Sequence, residues 1–235
     1  MFDGNDGSVV RDFFAYESTF TGGLFLAVGD VNGDGVGDII TGTEVGGGPR
    51  VQAFDARTGA TLLNYFAFDS NQRGGVRIAA ADFNRDGRAD VVATTGVGVQ
   101  TRVRVIDSAG GTALTDYAPY EDAYTGGVYV AAGDFNGDGT PDVVVGADAG
   151  GGPRVQVFSG LTQTVLAGFF AFDANDRGGA RVAAKDVTGD GKADLVVSTG
   201  TAGKSGVKIF RATDLTQVES FDFTADDLAR GAYVG

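Results

Sequence analysis

The chain has no cysteine, no histidine and no tryptophan, and only four prolines and one methionine. Without cysteine there is no disulfide, no thiolate metal site and no sulfur nucleophile. Without histidine the commonest general base and transition-metal ligand is missing. No apolar run approaches the ~18 residues a membrane-spanning helix needs, so membrane insertion is not expected. The opening residues, MFDGNDGSVVRDFF, carry neither the basic nor the apolar region of a signal peptide. Basic residues are scarce: 18 Lys and Arg stand against 31 Asp and Glu, a net charge of −13. That balance excludes nucleic acid as a partner, since phosphate binding needs basic surface.

Glycine is what the chain has in excess. It supplies 40 of 235 residues, well above the roughly 7% of ordinary proteins. No collagen-like period accompanies it, so these glycines serve turns and close backbone approaches. Hydrophobic residues make up 43%, enough for a sizeable core.

One motif occurs four times: DVNGDGVGD at 30–38, DFNRDGRAD at 82–90, DFNGDGTPD at 134–142 and DVTGDGKAD at 186–194. Each step is 52 residues, and the flanking segments keep the same register. A period of 104 lies on top, because GGGPRVQ occurs at 46–52 and 150–156. TGG at 21–23 and 125–127 likewise alternates with RGG at 73–75 and 177–179. The chain divides into a partial repeat at 1–22, full repeats at 23–74, 75–126, 127–178 and 179–230, and the start of another at 231–235. Both ends fall inside a repeat, as expected of a piece of a longer protein or of an unusually closed ring.

Each unit holds four short β-like segments bounded by turn residues, near 24–29, 38–43, 50–55 and 61–68 in the first. Helical periodicity is absent. Four strands per ~50 residues at a rigid period predict an all-β fold, a β-propeller of four-stranded antiparallel blades. A β-solenoid is the alternative, although its rungs are shorter. Four complete units and the pairing favour four blades. The first two segments are almost continuously apolar and are expected to be buried on both faces.

In D-x-N-x-D-G-x-x-D, positions 1, 3, 5 and 9 are oxygen donors, the set that calcium prefers. Position 6 is always glycine, as a sharp turn requires. Position 7 varies freely, as a backbone-carbonyl ligand permits. The predicted ligands are Asp30, Asn32, Asp34, Val36 and Asp38; Asp82, Asn84, Asp86, Arg88 and Asp90; Asp134, Asn136, Asp138, Thr140 and Asp142; and Asp186, Thr188, Asp190, Lys192 and Asp194. Asp–Asn–Gly clusters are also ordinary turn formers, but four copies in register favour about four Ca²⁺, one per repeat. With three aspartates in each of four loops, most of the acidity becomes metal ligation.

The aspartate loop followed by an apolar strand resembles the FG-GAP/VCBS repeats of integrin α-subunit propellers and their bacterial relatives. The resemblance implies calcium sites on one face, a binding or adhesion role and an extracellular or cell-surface location. Loop order places GGGPR and the TGG/RGG loops on the opposite face, where Phe20, Arg50, Arg73, Tyr124, Arg154 and Arg177 are candidate contacts for a protein or glycan ligand. No acidic pair breaks the repeat, so no enzymatic activity is expected. A carbohydrate-binding propeller, alone or accessory to a polysaccharide-active enzyme, and a structural spacer are the alternatives.

Overall fold

Segments of four to six apolar or alternating residues, each cut off by glycine or an Asx turn, form sixteen strands and no helix among the described residues. The structure, a computed structural model, describes residues 1–200, 206–212, 214–223 and 234. Apart from Val234, the end of the fourth unit and the further repeat start at 231–235 lie outside the described residues.

Blade 1 comprises β1 (Leu24–Gly29), β2 (Asp38–Thr43), β3 (Arg50–Phe54) and β4 (Thr61–Phe66). Blade 2 comprises β5 (Val76–Ala81), β6 (Asp90–Thr95), β7 (Val103–Ile106) and β8 (Ala113–Tyr117). Blade 3 comprises β9 (Val128–Gly133), β10 (Asp142–Ala147), β11 (Arg154–Phe158) and β12 (Val165–Phe170). Blade 4 comprises β13 (Ala180–Lys185), β14 (Asp194–Thr199), β15 (Gly206–Phe210) and β16 (Gln217–Asp222). Every blade is an antiparallel meander in chain order, and the four make a β-propeller. Register repeats with the sequence: Gly29 faces Asp38, Ala81 faces Asp90, Gly133 faces Asp142 and Lys185 faces Asp194. The third strand carries a bulge before Phe54, Ile106, Phe158 and Phe210 alike.

Between consecutive blades lies an apolar core. Ile40, Val51 and Ala53 of blade 1 meet Val76, Ile78 and Val91 of blade 2. The same positions of the repeat meet between blades 2 and 3 and between blades 3 and 4. The described residues form no such core between blades 4 and 1. Leu24, Leu26 and Val28 are 44%, 67% and 70% exposed, whereas Val76 and Ile78 are 0% and 6%. On blade 4, Val187, Phe221 and Phe223 are exposed as well. The expectation that every first strand is buried on both faces therefore fails for β1, which lacks a neighbour on one side.

The outer part of that side of blade 1 is covered by the chain's own first residues. Phe13 meets Phe54 edge-on at 4.9 Å, where Phe169 meets Phe210 edge-on and Tyr117 meets Phe158 at a tilt, both at 5.0 Å. Tyr16 Oη donates towards the carbonyls of Thr41 (3.0 Å) and Arg50 (2.9 Å). Tyr120, 104 residues on, does the same to Val145 and Arg154. The segment thus plays the part of a preceding blade's last strand without forming a strand itself.

Candidate functional site

All four aspartate loops join the first and second strands of a blade and so share one face of the propeller. Asp30 accepts backbone N–H bonds from Gly33 (2.7 Å), Asp34 (3.1 Å) and Gly35 (2.7 Å). Asp134 and Asp186 bind their loops identically, and Asp82 holds Asp86 and Gly87. The turn needs positive φ at position 6, where Gly35 has 80° and Gly87 86°. Position 4 is also left-handed, and Arg85 (φ 61°) occupies it where the other loops have glycine.

Position 9 is different in kind. Asp38, Asp90, Asp142 and Asp194 are buried, and each accepts hydrogen bonds from backbone N–H groups. Burial pushes Asp90 up to about 6 and raises Asp38 and Asp142 as well, against the lowering effect of those bonds. Desolvation raises Asp194 too, but the bonds from the Thr188, Val187 and Ala212 amides and the Thr188 side chain outweigh it and hold it low. The donor set is wholly oxygen, which fits calcium in chemistry. Among the described residues, however, no three carboxylates stand close enough together to hold a metal.

Neighbouring loops are tied together. Ala89 N donates to Asp30 O at 2.7 Å, and Ala193 N donates to Asp134 O at 2.9 Å. Pro141 occupies the equivalent position in the third loop and has no N–H to give. There Arg85 reaches across instead, to Asp138 O (2.9 Å) and Thr140 Oγ1 (2.6 Å). Of the remaining predicted ligands, Lys192 Nζ donates to Asn136 O at 3.0 Å, and the Arg88 side chain lies against Gly33.

On the opposite face the predicted contacts serve as corner braces. Arg50 pairs with Glu17 at 2.8 Å and lies over Tyr16; Arg154 pairs with Glu121 at 2.6 Å and lies over Tyr120. Phe20 and Tyr124 sit edge-on to those same tyrosines. Arg73 and Arg177 each cap carbonyls of their own loop. These contacts recur at 104 residues, so they account for the longer period.

Sequence reasoning missed one layer. At the second residue of the inner strands the repeat places Phe25, Arg77, Tyr129 and Arg181, whereas two residues on all four positions are alanine. Arg77 lies 5.3 Å from the Phe25 ring and 4.5 Å from the Tyr129 ring, and Arg181 lies 5.5 Å from Tyr129. Phe25 and Tyr129 meet edge-on at 6.3 Å. The signal was the one column of the inner strands in which aromatic and basic residues replace small or aliphatic ones.

Comparison with known proteins agrees with this architecture. Cartilage acidic protein 1 of Xenopus tropicalis is 26% identical over 200 residues, covering 82% of this chain and 31% of that protein. Among solved structures, a rhamnogalacturonan lyase of Bacillus licheniformis superposes with a TM-score of 0.51 at 14% identity, over 84% of this chain and 50% of the lyase. A protein of unknown function from Bacteroides caccae gives 0.53 at 16% identity, over 91% and 65%. The chain thus spans about a third of the curated relative and half of the lyase, and the structural likenesses concern the fold. Residues 82–145, from the second aspartate loop into the third blade, match the FG-GAP-like repeat family. By that match residues 82–145 are of FG-GAP repeat type, and the other aspartate loops of the propeller keep the same 52-residue register.

Proposed function

We propose that the chain is a calcium-stabilised, non-catalytic binding module of an extracellular or cell-surface protein. The observation that carries the calcium reading is the four buried position-9 aspartates. Buried carboxylates are ordinarily paired with a cation or coordinate a metal, yet these are met by backbone amides. A cation held by positions 1, 3, 5 and 9 would neutralise each loop and pin the first strand of a blade to the second. Four divalent ions would bring the charge from −13 to −5. Removing metal with EDTA should lower the melting temperature by many degrees, and added Ca²⁺ should restore it. An unchanged melt in stripped protein would sink the calcium reading.

A protein ligand on the face opposite the loops is the first reading of the binding role. The aromatic and arginine layer on the axis favours a second, a carbohydrate ligand, and three structural neighbours are named as rhamnogalacturonan lyases. Glycan and matrix-protein arrays probed with and without Ca²⁺ separate the two; silence on both would favour a spacer.

A further inference from the structure

Around the axial layer lies a cavity of about 420 Å³, within the usual range for small-ligand sites. Arg77 and Glu44 line it, with an apolar wall that includes Leu24, Ile78, Val130 and Val182. Arg77 is only 5% exposed, and its Nη2 donates to Asp148. Its Nε and Nη1 are buried without any hydrogen-bond partner. Such donors carry a large desolvation cost that an acceptor would remove.

We propose that this axial cavity binds a carboxylate-bearing small ligand, with Arg77 as the donor to its carboxylate. The inference deepens the binding-module reading, on which it rests, by naming the site and the ligand chemistry. A monoanion fits better than a phosphate dianion. Asp148 and Glu44 already stand beside the arginines, so a second negative charge would meet repulsion. The apolar wall suits the ring or chain that carries the carboxylate. A sugar acid and a free organic acid share this chemistry.

The test follows the Arg77 Nε–H resonance of the whole chain while D-galacturonate, D-galactose, acetate or inorganic phosphate is added. Galacturonate should shift that resonance, and galactose, which has a hydroxymethyl in place of the carboxylate, should not. Acetate acting as strongly as galacturonate would assign the site to small acids; galacturonate acting alone would assign it to sugar acids. Arg77→Met should weaken acid binding roughly tenfold or more, with Arg11→Ala, far from the cavity, unchanged. Because the resonance is read in the unmutated protein, the result survives a variant that fails to fold. Equal response to galactose, tighter binding of phosphate, or no response to either acid overturns the proposal. A glycan or protein that binds the chain while leaving this resonance unmoved overturns it too, and leaves the binding-module reading standing.

Discussion

At Asp142, one side chain accepts from the amides of Phe135, Asn136 and Gly160 at 3.0–3.2 Å, joining the loop to the turn after β11. Asp142→Ala orphans three backbone donors, one buried and two part-buried, and should cost about 2–4 kcal/mol in urea unfolding of the metal-free protein. The acid titration follows from the same residues. Asp90 has its folded value raised to about 6 by burial, so folding favours its protonated form. Its contribution to metal-free stability therefore grows as pH falls from 7 through 6 towards the ordinary value near 4. Asp30, whose loop amides hold it low, contributes the other way and loses stability as pH falls below that ordinary value. Urea midpoints measured in EDTA should rise between pH 7 and 5 and fall below about pH 4. A flat profile between pH 7 and 5 would mean that Asp90 is solvated.

At the scale of the element, strand positions were legible because each apolar segment ends in a glycine or Asx turn with its own dihedral demand. The first strand at 24–29 and the second at 38–43 stand where periodicity put them. What the repeat could not reveal is which copy has a neighbour. Leu26 and Ile78 occupy the same column, yet only Ile78 is covered. Nor could it reveal that Arg50, Arg154 and Tyr124 would be braced by local partners, since bracing depends on which loops the fold brings together. The Pro141–Arg85 exchange was equally hidden, because a missing amide and the guanidinium that replaces it lie 56 positions apart in sequence. Arg85→Ala should cost about 1–2 kcal/mol by removing both bonds to the third loop. Arg85→Gly should cost less, because glycine removes the penalty of a left-handed residue. Chemical denaturation of the two variants decides the order.

At the scale of the molecule, three cores serve four blades among the described residues. Leu26→Asp should change stability by no more than ~0.5 kcal/mol, whereas Ile78→Asp in the equivalent column should cost more than ~3 kcal/mol. Equal damage from both would show a closed fourth junction in solution. Three cores in series make the described residues a short zipper rather than a sealed hoop. Each blade is anchored by its immediate neighbours, so opening can begin at either loose end and proceed inward one blade at a time. Amide exchange should then slow from blades 1 and 4 towards the strands that blades 2 and 3 share, and the calorimetric enthalpy of melting should exceed the van't Hoff value. A ligand gripping the axis would matter most for such a molecule, since it would touch all four blades at once and turn sequential fraying into a single event.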